Sequence, residues 1–404
     1  MSNAAAIQQE VKTWLAKHWN PDLSLLEWRS LLADSGWGQP TWPVEFCGKG
    51  LSNDEAKLVQ VEFDRVGAIG PFSGGATGLA AATLLEHGNQ EQKQKYLRRM
   101  LTGEDMWCQL FSEPGSGSDL AGATTRADWN GDHWVVNGQK VWNTSAHHAD
   151  YGILVARTNW DVPKHQGISY FLLNMRQPGV EVRPLKQMNG HASFNEVFFT
   201  DAIIEASDLV GEQNQGWAIA LTTLTHERAG FGSLRRNKRV TTSGRIYAEY
   251  QKEQDVANEP YTWYPQRAGR IDMLLERARE TGTISDPLVR QEIATAIALQ
   301  RTSSWFSARG LARGPAGSVV KLAASRIARA GNRAHTATSG IDALFEGDSS
   351  PHAGIIGEIL LSTPATSIAG GTDEIQKNII SERVLELPKE PRFDGGPFKD
   401  VAKN

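Results

Sequence analysis

Residues 111–122 read FSEPGSGSDLAG and lie just beyond the point where the hydrophobic period of the chain changes. From residue 5 to about 105 apolar residues recur at helical spacing. From about 106 to 205 the period is two, as in strands: WCQLFSEP, HWVVNGQKVWNTS, YGILVART and GISYFLLNM. The stretch itself leaves the first of these strands and enters a loop of Gly, Ser and Pro. Its backbone N–H groups and hydroxyls can hold a phosphate or the edge of a flavin ring, or can simply make a polar turn.

Working outward, two Asn-Gly pairs, Asn130-Gly131 and Asn137-Gly138, predict hairpins, because a type I′ turn needs positive φ at both central residues. Toward the N-terminus, DEAKLVQVEFDRVGAIG places Leu58, Val61 and Val66 on a helix face with Asn53 as N-cap. FSGGATGLAAATLLEHG reads as a small apolar helix ending at Gly88, and NQEQKQKYLRRML as a polar surface helix. Beyond Gln213 helices return. NQGWAIALTTLTHERAGFGSLRRNKRVTTSGRIYAEYQ reads as one long helix. Another runs from Pro315, with Gly331 available as a stop or break. The order helices, sheet, helices predicts an α+β multi-domain protein and excludes the βαβ alternation of a doubly wound fold. The expected units are an N-terminal helical domain (1–105), a middle antiparallel β-domain (106–205) and a C-terminal helical bundle (206–404).

With 404 residues, 40% of them apolar and 22% charged, the composition is that of an ordinary globular protein. A net charge of −4 argues against nucleic acid as a partner, and RRNKR (Arg235 to Arg239) reads as a solvated helix face. Two cysteines, Cys47 and Cys108, give no disulfide framework, which suits a reducing cytoplasm. The N-terminus reads as an amphipathic helix, not a signal peptide. No run approaches the ~18 apolar residues of a membrane span. His147-His148 tempts as a metal site, but neighbours in a strand point to opposite faces and no third ligand lies at useful spacing, so no metal is expected.

In KVWNTSAHHAD, Trp142 and Thr144 lie two residues apart on one strand face, an aromatic plate beside a hydroxyl donor. Taken together and in this order, LFSEPGSGSDLAG, VNGQKVWNTSAHHAD, GSVVKLAAS and GGTDEIQKNIISERVL resemble the signatures of the acyl-CoA dehydrogenase family over nearly the whole chain. The resemblance implies a C-terminal four-helix bundle and non-covalent FAD. It implies α,β-dehydrogenation of an acyl-CoA thioester, with electrons passed to an electron-transferring flavoprotein. It makes Phe111, Ser112, Ser118, Trp142, Thr144, Thr372 and Glu374 cofactor residues, with Trp142 against the isoalloxazine and Thr144 donating to flavin N5. Ser118 and Arg228 become substrate residues.

Most members carry the catalytic base as Glu just before Gly-Thr in the C-terminal loop; here that loop, SIAGGTDEIQ, has Gly370. A smaller group carries Glu in a Glu-Arg dipeptide on the first long C-terminal helix, where this chain has Glu227-Arg228. In a helix Glu227 shares a face with Thr223, Leu224, Gly230 and Phe231, apolar or small neighbours that would desolvate it and raise its pKa toward the working pH. Gly370 would contribute its amide to the thioester oxygen, and the Gly370-Gly371 pair would open the pocket for a branched or ring-bearing acyl group.

Two family signatures are absent. In place of Arg-x-x-Phe-Gly stands ETGTISDPLVRQEI, with Arg290 further on, and the Gln-x-x-Gly-Gly-x-Gly loop is replaced by TSGIDALFEGDSSPHAG. These gaps resemble a subgroup acting on CoA thioesters of steroid side chains and related bulky acids, some of whose members are heteromers sharing one FAD. The assembly expected is a homotetramer, or a heterotetramer with a related chain. The alternatives are a non-catalytic partner subunit and a flavin oxidase on the same fold.

Overall fold

The computed structural model describes residues 3–230, 242–309, 317–391 and 394–401. Five helices come first: α1 (Asn3–His18), α2 (Leu25–Ser35), α3 (Asn53–Val66), α4 (Thr77–His87) and α5 (Gln90–Thr102). Capping boxes start α2, α3 and α5 at Ser24, Ser52 and Asn89, and left-handed glycines stop them at Gly36, Gly67 and Gly103. The cap of α3 is therefore Ser52, not Asn53, because its N3 residue Glu55 completes the box. The α3 face also differs from the sequence reading: Val59 and Phe63 are buried while Val61 is exposed. Helix α5 is half core, burying Tyr96, Leu97, Met100 and Leu101.

Eight strands follow: β1 (Trp107–Leu110), β2 (Arg126–Trp129), β3 (His133–Thr144), β4 (Tyr151–Arg157), β5 (Ile168–Asn174), β6 (Val180–Leu185), β7 (Phe194–Glu205) and β8 (Leu209–Val210). They form one sheet in the order β6-β7-β3-β2-β4-β5-β8, with β1 joining β4. The pairs are antiparallel except those of β4 with β1 and β2. Asn130-Gly131 makes the β2–β3 hairpin as expected. Asn137-Gly138 does not turn the chain; it sits inside β3 at a bulge. A Cβ at Gly138 would lie 2.7 Å from the Thr125 Cα, so the glycine admits a close backbone approach. The turn signal is local, whereas the partner strand that absorbs it is not.

Helix α6 (Gly216–Gly230) then crosses back over α4 and β5. Thr223, fully buried, bonds the Thr83 hydroxyl at 2.8 Å and the Tyr170 hydroxyl at 3.0 Å, locking helix to helix and helix to sheet. The long helix read over 214–251 is not continuous. Residues 242–244 are non-helical and α7 (Arg245–Asn258) starts afresh at Gly244. Helix α7 packs on the N-terminal helices: Ile246 and Tyr247 join the core of Val11, Trp28 and Phe63, and the buried Arg29 forks onto Glu253. RRNKR lies outside the described residues, as does Pro315.

The remaining helices among the described residues are α8 (Tyr264–Arg267), α9 (Leu274–Glu280), α10 (Pro287–Ala308), α11 (Gly317–Ser339), α12 (Ile355–Ser362), α13 (Pro364–Ile368) and α14 (Asp373–Arg383). Helix α11 is the hub, touching α6, α9, α10, α12, α13 and α14. It passes straight through Gly331, which is no stop. A Cβ there would lie 2.4 Å from the Gly269 carbonyl oxygen, so the missing side chain lets another backbone cross α11. Gly331→Ala is expected to destabilise the fold by about 1–3 kcal/mol, even though alanine is the better helix former. Denaturant unfolding measures it; a stabilised variant would mean that this crossing relaxes freely. By length and composition His352–Arg383 could cross a membrane, yet it is cut into α12, α13 and α14 by breaks at Thr363 and at Gly370-Gly371.

Candidate active site

The strand β1 alternates cleanly: Cys108 and Leu110 enter the core on one face of the sheet and Trp107 the core on the other. Gln109 shares the Trp107 face, beneath α4 and α6. Its side-chain amide donates to Glu227 Oε2 at 3.3 Å, and its carbonyl accepts from Asn143 Nδ2 at 2.7 Å. The half-buried Glu227 lies one turn beyond Thr223 on the packed face of α6. The carboxylate from the helix thus meets the sheet where β1 ends and β3 ends. The Arg228 side chain and the whole of Phe231 lie outside the described residues, and of Gly230 only the helical backbone is described.

Next to Asn143, Trp142 is 56% exposed and has φ +64°. A bulky residue there is a backbone outlier costing roughly 1–2 kcal/mol, and such strain concentrates at functional sites. Its origin is a second bulge in β3, between Lys140 and Asn143, that leaves both Lys140 and Val141 buried and re-aims Trp142 outward. Trp142 and Thr144 do share the less buried face. The indole meets the Phe194 ring edge-on at 5.7 Å, and Phe194 meets Trp263 at 6.1 Å, so the exposed plate has an aromatic backing.

The loop after β1 hangs on a buried ion pair. Lys140 Nζ, fully buried, donates to Glu113 Oε1 and to the Phe111 carbonyl, both at 2.8 Å. Glu113 also accepts the backbone N–H groups of Thr124 and Thr125. Burial alone would raise the Glu113 pKa, but Lys140 and these donors outweigh it and hold the carboxyl down at about 2. Burial in turn pulls the Lys140 pKa down, against the pull of Glu113. The direction that decides the pair is that of Glu113, whose charge has several donors besides the lysine. Between these anchors Gly115, Gly117 and Ser118 are exposed, and a Cβ on either glycine would meet nothing within 4 Å. The Phe111 side chain is a core residue, edge-on to Tyr170 at 6.0 Å. Ser112 is half-buried and its carbonyl accepts from the Val141 N–H.

In the C-terminal loop Gly370 and Gly371 have φ +66° and +84°, a conformation that itself favours glycine. Gln376 folds back so that its Nε2 donates to the Gly370 carbonyl at 2.9 Å, and a Cβ on Gly371 would lie 2.5 Å from that nitrogen. The Thr372 hydroxyl caps α14 by accepting from the Ile375 N–H, and Glu374 is exposed. Between them Asp373 is buried against Lys321 at 3.3 Å and Arg329 at 2.9 Å, fastening the loop to α11. Gln109, Lys140, Glu113 and Asp373 were not marked out by the sequence, although a polar residue inside the otherwise apolar WCQL was a legible sign for the first.

The profiles of the acyl-CoA dehydrogenase N-terminal, middle and C-terminal domains match residues 3–104, 108–202 and 270–385. The chain belongs to the acyl-CoA dehydrogenase family, oxidoreductases acting on a CH–CH group. It is 32% identical to "Acyl-CoA dehydrogenase IpdE1" of Mycobacterium tuberculosis over 97% of this chain and all of that one. It is 33% identical to the protein of the same name from Mycolicibacterium smegmatis over 96% of this chain and 99% of that one. A solved structure named "Tcur3481-Tcur3483 steroid ACAD" shares the fold, with TM-score 0.67 at 24% identity over 96% of this chain and 99% of that one. Residues 203–269, which carry Glu227, lie between the profile-matched stretches.

Proposed function

We propose that this chain uses Glu227 to remove the α-proton of a bulky acyl-CoA thioester in an α,β-dehydrogenation for which FAD, when bound, would be the acceptor of the β-hydride. The observation that carries the reading is the meeting of Glu227 with Gln109 at the strand ends that also present Trp142. The residues fit a flavin. Trp142 offers an exposed plate, Thr144 a hydroxyl on the same face, and Asn143 Oδ1 is buried with no hydrogen-bond partner among the described residues. Trp142, Thr144, Ser112 and the backbone around Ser118 would hold the cofactor, which supplies the hydride acceptor when bound. Glu227 accepts the proton, with Gln109 fixing the carboxylate's position. The Gly370 amide and the Thr372 loop are assigned to the thioester and cofactor edge; Ser118 and Arg228 are assigned to the CoA thioester. No side chain occupies position 370, which suits a branched or ring-bearing acyl group, and electrons would pass to an electron-transferring flavoprotein in the cytoplasm.

The missing Arg-x-x-Phe-Gly supports assembly with a related chain. Arg290, the nearest arginine in sequence, stands exposed in the first turn of α10, in a shallow cleft with Ser285, Pro287 and Gln291. The test is to purify the chain alone and record its visible spectrum and its mass in solution. It is then mixed anaerobically with straight-chain, branched and ring-bearing acyl-CoAs. Bleaching of bound flavin by the bulky thioesters is expected. A chain that arrives colourless and gains flavin only with a second, related chain establishes the heteromer. Fastest bleaching by a straight-chain thioester, with bulky ones inert, overturns the substrate class. A flavin-loaded chain that no acyl-CoA bleaches overturns the activity.

A further inference from the structure

His147 and His148 do not lie in a strand. The chain leaves β3 at Thr144 and turns tightly over residues 145–148, with Ser145 at φ +60° and its carbonyl accepting from the N–H groups of His148 and Ala149. In a turn the two rings are free to share a side, and they do: their centroids are 4.0 Å apart. A third group arrives from far along the chain. Glu259 opens the 3-10 turn that follows α7, and one ligand atom from each of His147, His148 and Glu259 lies within 4.8 Å of the others. The expectation that no third ligand exists thus fails, because it counted only residues near in sequence.

We propose that His147, His148 and Glu259 form a binding site for a divalent transition metal of the zinc class. Two imidazoles and one carboxylate are a borderline N/O donor set, suited to Zn²⁺, Ni²⁺ or Co²⁺ and not to Mg²⁺ or Ca²⁺, which want oxygen alone. His147 is already oriented as a ligand. Its backbone N–H and its ring Nδ1 both donate to Oδ1 of the buried Asn195, at 3.3 and 3.0 Å, which leaves Nε2 as the lone-pair atom. A cation beside the site, Arg176, donates to the His148 carbonyl at 2.9 Å and lies 3.7 Å from the Asp150 carboxylate, which offsets its charge.

The site joins two parts of the fold that share no sequence neighbourhood. One ligand pair follows Thr144 at the end of β3; the third precedes Trp263, whose Nε1 donates to Ser193 Oγ at 3.1 Å and whose ring backs Phe194 and so Trp142. A bound ion would staple the sheet to the helical segment that backs the exposed tryptophan. Its role is structural and does not depend on the dehydrogenase reading.

The experiment is calorimetric titration of the purified full-length chain, treated with chelator and dialysed, with Zn²⁺. One site per chain and a raised thermal midpoint with Zn²⁺ are expected. His148→Ala and Glu259→Gln should each weaken binding at least about tenfold, while His133→Ala, on the distant β2–β3 hairpin, should leave it unchanged. Glu259→Gln keeps the size of the side chain, so the assignment stands or falls on it even if the histidine variant does not fold. Absence of binding at about 0.1 mM Zn²⁺, or binding that survives Glu259→Gln at full strength, overturns the site.

Discussion

Glu227→Gln is expected to lose about 10²–10⁴-fold in turnover while keeping fold and flavin. The amide has the shape of the carboxylate and still accepts from Gln109 Nε2 through its oxygen, so the contact between α6 and β1 survives. What goes is the ability to take a proton. The stability of α6 rests elsewhere, on the Thr83, Thr223 and Tyr170 hydroxyls, so an unfolding midpoint close to that of the parent is part of the expectation. Gln109→Leu separates position from chemistry. It leaves the base in place but removes one of the groups that orient it, the Gln109 amide, and kcat should fall by roughly tenfold with KM little changed. Steady-state kinetics and the flavin spectrum read both variants. Undiminished turnover in Glu227→Gln would remove the base from α6.

Glu113→Gln is expected to cost about 3–5 kcal/mol at neutral pH, because it leaves the Lys140 ammonium buried without its counter-charge. It should also loosen the loop at residues 112–119 and lower flavin content. The parent protein carries the same interaction as a pH dependence. The Glu113 carboxyl, ordinarily near 4.5, is held at about 2 in the fold. A depressed carboxyl stabilises the native state above its unfolded pKa, and that stability is lost as pH falls from about 5 toward 2. Urea unfolding across this window should show a steep acid limb in the parent and a flatter one in Glu113→Gln. Removing the stranded charge as well, with Glu113→Gln and Lys140→Met together, should recover much of the loss, since the glutamine oxygen still accepts from the Thr124 N–H and breaking a buried pair costs more than removing it. Parallel acid limbs in parent and variant would mean that this pair does not govern acid stability.

Much of the fold was legible from short-range signals. Gly88 ends α4 where the sequence placed the stop, and the cap of α3 lies one residue before the Asn53 that was read, because caps and terminal glycines satisfy backbone groups within four positions. The change of period near residue 106 located the sheet, and Asn130-Gly131 its first hairpin. The same kind of signal misled at Asn137-Gly138 and at Gly331. A glycine reports only that a side chain is unwelcome; whether a turn, a bulge or a crossing backbone excludes it depends on what packs there. The Val61 face of α3 failed for a related reason. Spacing gives an amphipathic stripe, but α1 and α2 decide which edge of the stripe is covered.

The order of helices and strands, the Gly/Ser loop, the pairing of Trp142 with Thr144 on one face and Glu227 as the helix-borne acid were all determined by the sequence itself, since each needs only neighbours within a turn or a strand. The tertiary structure alone decided that Gln109 meets Glu227 across 118 positions, that Lys140 reaches back to Glu113, and that Glu259 comes to the two histidines. These contacts follow from how the sheet, α6 and α7 stack. Stacking is set by the summed burial of many apolar side chains, not by the polar residues it brings together.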